Sequence, residues 1–180
     1  LQICNDKLPN RIVVCEENVE NIAVRPLTID TERAKLGPYK TFAETGLLTP
    51  HEFENLLNEL YLQNYVLISG ESFMNYPENY PQVLVPAGKK PLVLVFDQYQ
   101  YSTQYRESGS AEQLAYDTEK DQFVSRLIAN KPDSAVENQD CISILESFIA
   151  EHSDFSFNGA KARIALTVNE NILGYTINEE

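Results

Sequence analysis

The sequence has few of the residues that mark several classes of protein. Its 180 residues include no tryptophan, three cysteines, two histidines, and 14 basic side chains against 27 acidic ones. The net charge of −13 argues against a nucleic-acid-binding protein, because phosphate recognition relies on clustered lysine and arginine. An anionic membrane surface would repel the chain for the same reason. No apolar run approaches the roughly 20 residues that cross a bilayer, so we expect no membrane span.

What is present suits a folded domain. Hydrophobic residues make up 43% of the chain, with ten tyrosines and eight phenylalanines, which is enough to fill a core. We expect one domain over residues 1–180, with residues 1–20 as a lead-in segment. The first residues resemble no signal peptide and do not begin with Met, so we interpret the sequence as a fragment or a processed form.

The cysteines and histidines show no metal-binding spacing. Cys4, Cys15 and Cys141 allow either one disulfide and one free thiol or three buried thiols. His51 falls in the first turn of a predicted helix, where we expect a solvated side chain. His152 follows a second predicted helix, where we expect it to cap the C-terminus. No CxxC, HxxxH or HExxH motif is present, and neither a Ser nor a Cys nucleophile is supported.

Helix and strand signals alternate along the chain. Thr49 and Glu52 form a capping box around Pro50, and the apolar residues that follow recur at the spacing of one helix face. A short buried strand over 65–69 is predicted next. Five consecutive apolar residues over 92–96 indicate a strand that is covered on both faces, as in a parallel sheet. The alternation predicts an α/β architecture.

The other predicted elements carry weaker signals. They are a helix over 140–151, a short helix over 121–129, strands over 11–15, 22–27 and 163–168, turns over 86–91 and 154–159, and a loop or short helix over 71–82.

Asp97 is the residue that the pattern places at a site. In α/β folds ligands gather at the carboxyl ends of parallel strands, and the strand over 92–96 runs directly into this carboxylate. A carboxylate there can act as a general base or a metal ligand, or it can be a loop or capping residue without chemistry. A cluster of tyrosines surrounds it in sequence, and these rings suit either sugar stacking or core packing. They are Tyr76, Tyr80, Tyr99, Tyr101 and Tyr105.

Several motifs resemble polysaccharide deacetylase-like (NodB-homology) proteins. The family pattern TxxEFxxxLxxLxxxGY resembles residues 49–65, and GKKPxxLxFDD resembles residues 88–98. Further on, DFSFNGAK at 154–161, IALT at 164–167 and ILGY at 172–175 resemble a longer, Firmicute-type branch of the family in the same order. The resemblance spans about residues 21–178.

The resemblance implies metal-dependent removal of N- or O-acetyl groups from polysaccharide. Asp97 matches the general base of the family, whereas Gln98 falls where the family has a metal-binding Asp. Arg25 falls where related sequences often have a His. The HxxxH pair that completes the metal site is missing, since the chain stops at Glu180 before that motif would appear. We therefore expect no bound metal and a vestigial Asp97.

The sequence leaves three functions open. The first is an inactive or truncated deacetylase-like domain that binds a cell-wall or extracellular glycan of the peptidoglycan type, with Tyr99 and Tyr101 contacting the sugar. The second is an active deacetylase whose other half, with the His pair, lies outside this chain and whose metal, such as zinc, tolerates Gln98. The third is a protein-interaction module of a cell-surface protein.

The resemblance also sets the expected fold and location. We expect a partial or incomplete NodB-type (β/α) barrel, or an open, mostly parallel sheet with flanking helices. An incomplete barrel exposes strand edges, so a homodimer through a sheet edge is predicted. The family implies an extracellular or cell-surface location.

Overall fold

The computed structural model describes residues 8–9, 11–15, 18–71, 83–129, 131–166 and 171–176. Eleven strands and five α-helices are described in these ranges. In chain order they are β1 (Ile12–Val14), β2 (Glu20–Val24), α1 (Thr31–Leu36), α2 (Lys40–Gly46), α3 (Pro50–Leu62), β3 (Tyr65–Leu67), β4 (Leu84–Pro86), β5 (Lys90–Phe96), α4 (Thr103–Glu107), β6 (Gln113–Asp117), β7 (Gln122–Arg126), β8 (Ala135–Val136), α5 (Cys141–Glu151), β9 (Arg163–Ile164), β10 (Asn171–Ile172) and β11 (Tyr175–Thr176). Three short 3₁₀ turns, Pro132–Ser134, Ser153–Phe155 and Phe157–Gly159, connect some of them.

A parallel sheet organises the fold around β5. On one side β5 pairs with β2, from Glu20↔Leu92 to Val24↔Phe96. On the other side β3 pairs with its first residues and β9 with its last two. The predicted α/β class is therefore confirmed as an open parallel sheet with flanking helices, and the described strands close no barrel.

Both faces of β5 are covered, as its apolar run predicts. Leu92, Leu94 and Phe96 join a core cluster to which α3 and α5 contribute. Val93 belongs to a second cluster on the other face, where β4 of the antiparallel β1–β4 pair contributes Val85. A strand whose successive side chains point to opposite faces needs apolar residues at every position when both faces are buried.

The two long helices begin at the N-capping residues that the sequence contains. α3 starts at the predicted capping box: the Thr49 backbone N–H donates to Glu52 Oε2 at 2.8 Å, and Glu52 N donates to Thr49 Oγ1 at 3.3 Å. α5 starts after Asp140, whose carboxylate accepts from the Ile142 backbone N–H at 2.7 Å. The predicted start of α3 and both predicted ends of α5 are confirmed to within a residue.

The short helix predicted over 121–129 is wrong, because Gln122–Arg126 of this segment form β7 in an antiparallel hairpin with β6. Val124 pairs with Ala115 in the core, while Phe123 pairs with Tyr116 outside, their rings 5.3 Å apart. The turn before β7 uses Asp121 at φ 56, a left-handed conformation that Asp tolerates better than most residues. The alternation of inward and outward side chains is that of a strand.

Shorter strands differ from prediction mainly at their ends. The strands predicted over 11–15, 22–27 and 65–69 are found as β1, β2 and β3. Of the strand predicted over 163–168, only Arg163–Ile164 form a strand, β9, and residues 167–168 lie outside the described residues. The loop or short helix predicted over 71–82 also lies outside them, apart from Glu71. The described strand pairs give β2 and β9 one partner each. The homodimer through a sheet edge stays a prediction.

The described helices also bear on membrane insertion. None of them is long and apolar enough to cross a bilayer.

Gly109 allows a close approach of two loops. It has φ +82, its carbonyl oxygen accepts from the backbone N–H groups of Ile29 and Asp30 at 2.8 Å each, and a Cβ on it would lie 2.2 Å from the Asp30 carbonyl oxygen. This contact holds the segment between β2 and α1 against the segment after α4.

We expect Gly109→Ala to lower the free energy of unfolding by more than about 2 kcal/mol, through backbone strain and the clash together. Gly88→Ala is the matched control, because Gly88 has φ +83 but nothing within 4 Å of a Cβ. That variant should cost only the left-handed strain of about 1 kcal/mol. Equal losses for the two variants in urea unfolding would contradict the clash.

Candidate functional site

Asp97 lies at the carboxyl end of the central strand, as the sequence predicts. Its backbone N–H donates to the Val24 carbonyl at 2.8 Å, which places it beside Arg25 at the end of β2. The Asp97 side chain is half-buried and that of Arg25 is exposed. No ion pair joins the two side chains among those found in the described ranges. This edge of the sheet therefore presents the Asp97 carboxylate, a hydrogen-bond acceptor, next to the Arg25 guanidinium, a cationic donor.

Gln98 is held by a tyrosine from α4. It has φ 56, and its Oε1 accepts a hydrogen bond from the Tyr105 hydroxyl. The pKa of Tyr105 is raised, mainly because the hydroxyl is buried. The charge of Arg25 lowers this pKa and that of Asp97 raises it, both by less than burial does. Arg25 and Asp97 thus both lie close enough to act on this hydroxyl, which stays protonated and donates to Gln98.

The divalent metal implied by the family resemblance does not fit these residues. The positions that would supply ligands hold a guanidinium at Arg25 and an amide at Gln98, whose oxygen already accepts from Tyr105. A guanidinium has no lone pair to offer, and a neutral amide is a poorer ligand than a carboxylate. Within the described part of the chain no group of three or more His, Cys, Asp or Glu side chains is placed to bind a metal together.

A second arginine, which the sequence analysis did not single out, lies near the same edge. Arg163, at the start of β9, packs on the backbone of Gly70 just after β3, where a Cβ would lie 2.4 Å from Arg163 Nε. Only glycine leaves room for this contact. The parallel arrangement of β3, β5 and β9 brings these positions together, although they are far apart in sequence.

The predicted substrate contacts of Tyr99 and Tyr101 are not available in this structure. Their side chains are 0% and 1% exposed and belong to the main core cluster. Tyr105 is buried as well, while Tyr76 and Tyr80 lie outside the described residues. Rings enclosed in the core present no face to a sugar, so Tyr99, Tyr101 and Tyr105 take the core-packing alternative.

The hydroxyls of Tyr99 and Tyr101 both donate to one buried carboxylate, Asp140, for which the sequence indicates no role. Tyr99 and Tyr101 donate to Asp140 Oδ2 at 3.0 and 2.8 Å. Burial raises the pKa of Asp140 and outweighs the hydrogen bonds from Ile142 N and the two tyrosines, which lower it. No local sequence signal indicates this contact, because Asp140 lies 41 residues after Tyr99 and 39 after Tyr101.

A second polar network joins three of the motifs that carry the resemblance. Lys89 Nζ lies 3.2 Å from Asp154 Oδ2, with both side chains 11% exposed, and the Tyr61 hydroxyl donates to the same carboxylate at 3.0 Å. The Lys89 ammonium also lies 5.3 Å from the centre of the Tyr61 ring. The network ties α3, the turn before β5 and the 3₁₀ turn Ser153–Phe155 together.

His152 and Cys141 take structural positions. His152 is the C-cap of α5, as predicted: its backbone N–H donates to the Phe148 carbonyl, and its ring packs 4.4 Å from the Tyr61 ring. His51 is exposed beside Glu54. Cys141 is a buried free thiol, and burial raises its pKa well above its usual range, so it is a poor nucleophile. Cys15 is half-buried, and Cys4 lies outside the described residues.

Comparisons of the chain with models of protein families, with curated proteins and with solved structures find no match. The resemblance to polysaccharide deacetylases therefore rests on the sequence motifs alone.

Proposed function

We propose that this is a deacetylase-like domain that binds N-acetylated polysaccharide at the carboxyl edge of its parallel sheet and does not hydrolyse it. The observation that carries the proposal is the position of Asp97, half-exposed at the end of β5 and next to the exposed Arg25. Ligands of α/β folds gather at this edge, and the family motifs place the general base on the same residue.

The pair of side chains is complementary to an acetamido group. An acetamido group offers one N–H donor and one carbonyl acceptor, which match the Asp97 carboxylate and the Arg25 guanidinium. Because the two side chains form no ion pair with each other in the described structure, neither has to be released before a ligand binds. Hydrogen bonds to charged groups are the stronger ones, so a two-point contact supports selective binding.

The lack of hydrolysis follows from the donor set at the edge. Asp97 retains a carboxylate, but Gln98 and Arg25 take the positions at which the resemblance expects ligands of the ion that activates water.

We also propose that the sheet is an incomplete NodB-type barrel. A location at the cell surface is part of the same proposal, as is a glycan of the peptidoglycan type.

Titration with N-acetylated chito-oligosaccharide tests the proposal. We expect wild-type protein to bind it and Asp97→Asn or Arg25→Gln to bind at least about tenfold more weakly, because a hydrogen bond to a charged group contributes about 1.5–3 kcal/mol. The matched control is Asp133→Asn, which changes an exposed carboxylate in the 3₁₀ turn Pro132–Ser134. A cello-oligosaccharide, which lacks the acetamido group, should bind more weakly.

Two results would contradict the proposal. One is the absence of binding by the wild-type protein in calorimetry. The other is acetate release from the oligosaccharide on addition of Zn²⁺, together with a rise in melting temperature that shows a bound ion.

A second candidate is a protein-interaction module, which one surface favours. Ile12, Val14 and Leu84 of the β1–β4 pair are 44%, 44% and 52% exposed, and Val14 pairs directly with Leu84. Adjacent exposed apolar side chains are typical of protein contacts. This candidate takes first place if the glycan titration shows no binding.

A further inference from the structure

The loop that follows β5 has a backbone conformation that needs support. Gln98 and Tyr101 have φ values of 56 and 52, in the left-handed region that side chains other than glycine enter at a cost. Between them Tyr99 turns into the core, and Tyr99 and Tyr101 are 0% and 1% exposed. The loop that carries Asp97 and Gln98 on its outer side is therefore held by contacts on its inner side.

One carboxylate accepts hydrogen bonds from both of these tyrosines. Asp140 Oδ2 accepts from the Tyr99 and Tyr101 hydroxyls, and its Oδ1 accepts from Ile142 N at 2.7 Å. The Cys141 backbone N–H in turn donates to the Tyr99 hydroxyl at 3.2 Å. Asp140 is only 3% exposed, so these bonds lie in a water-poor interior where unpaired groups are costly. The start of α5 and the loop after β5 are thus joined at one residue.

We propose that Asp140 is a positioning residue, which holds the loop after β5 so that Asp97 faces the ligand. The loop is fixed at one end by the bond from Asp97 N to the Val24 carbonyl and at the other by the two tyrosine hydroxyls on Asp140. The role in ligand binding rests on the proposed function, whereas the role in holding the loop does not.

Asp140→Asn is the sharpest variant. Asparagine caps a helix as well as aspartate does and keeps an oxygen for Ile142 N, so α5 should stay capped. The amide nitrogen that replaces Oδ2 offers hydrogens where two tyrosine hydroxyls need an acceptor. Asp30→Asn is the matched control, because Asp30 is the N-cap of α1 and accepts from Arg33 N at 2.9 Å.

Amide hydrogen exchange and glycan affinity separate positioning from simple stability. In Asp140→Asn we expect the Gln100 amide, which donates to the Gln98 carbonyl, to exchange at least about tenfold faster, because the loop opens locally. The affinity for chito-oligosaccharide should fall by about tenfold, while amides in the middle of α5 keep their protection. Since the chain has no tryptophan, near-ultraviolet circular dichroism should also show the changed tyrosine environment. Asp30→Asn should change neither the loop exchange nor the affinity.

A milder variant keeps the test decisive if Asp140→Asn does not fold. Tyr101→Phe removes one of the two donors and keeps the ring, and it should give a smaller change of the same kind. Tyr116→Phe, at an exposed tyrosine, is its control. Wild-type loop exchange and affinity in Tyr101→Phe and in any folded Asp140→Asn would overturn the proposal. If wild-type protein binds no glycan, the proposed function fails, and the exchange of Gln100 still decides whether Asp140 holds the loop.

Discussion

Replacing Phe155 by alanine is expected to lower the free energy of unfolding by about 3–5 kcal/mol. The Phe155 side chain is 0% exposed, and its ring packs edge-on against Phe148 at 5.2 Å and Tyr61 at 6.2 Å. It lies between α3 and α5, so its removal leaves a cavity that two packed helices cannot readily close. The loss should appear in the midpoint of urea unfolding with an unchanged slope.

Phe123→Ala is the control for the same chemical change at the surface. Phe123 is 39% exposed and contacts Tyr116 on the outer face of the β6–β7 hairpin. We expect this variant to lose less than about 1.5 kcal/mol, the upper range of an aromatic pair. Similar losses at the two positions would show that Phe155 is not part of the core.

Lys89→Met should have the second-largest effect, about 2–3 kcal/mol. The methionine keeps most of the packing of the lysine stem against Tyr61 but removes the ammonium from the nearly buried Asp154 carboxylate. The carboxylate then retains the Tyr61 hydroxyl as its side-chain donor. Lys131→Met is the control: its ion pair with Asp133 is exposed and should contribute less than about 1 kcal/mol.

The Asp154 carboxylate should also make the stability of the protein depend on pH. Burial raises the pKa of Asp154, but hydrogen bonds from Tyr61 and Lys89 and the charge of Lys89 outweigh it, so the pKa lies below its ordinary value. A folded-state pKa below the unfolded one means that the carboxylate stabilises the protein above the unfolded value, near 4, and that this stability is lost as pH falls through the folded pKa.

Asp154→Asn should flatten this part of the profile. We expect its free energy of unfolding to fall less than that of wild-type protein between about pH 5 and pH 2. Asp133→Asn, at an exposed carboxylate, should keep the wild-type slope. If the free energy of unfolding changed with pH in the same way in Asp154→Asn and in wild-type protein, Asp154 would not be a cause of this pH dependence.

The elements that could be predicted from the sequence are those with local causes. α3 follows from its capping box and apolar spacing, and β5 follows from its unbroken apolar run. The β6–β7 hairpin could not be predicted, because Val124 and Ile128 occur at a helical spacing. Only pairing with residues 113–117 shows that β7 is a strand, and no local propensity contains that information.

The candidate site likewise contains features that could be predicted from the sequence and features that could not. The position of Asp97 follows from the strand that ends before it, and the neighbouring Arg25 follows once β2 pairs with β5 in parallel. The burial of Tyr99 and Tyr101 did not follow from the sequence, because it depends on Asp140, which lies on another element. Tyrosine is amphipathic, so its sequence context alone does not distinguish a core ring from a ligand-binding one.

The central sheet also has a consequence for biosynthesis. β5 is completed by β2, which is translated well before it, and by β9, which is translated well after it, and neither contact is local. Contacts of long sequence separation form slowly, since the intervening chain has to be ordered first. A nascent chain that ends before Ile164 therefore carries an apolar strand whose last neighbour does not yet exist. During that interval we expect the growing polypeptide to depend on chaperones that shield such strands.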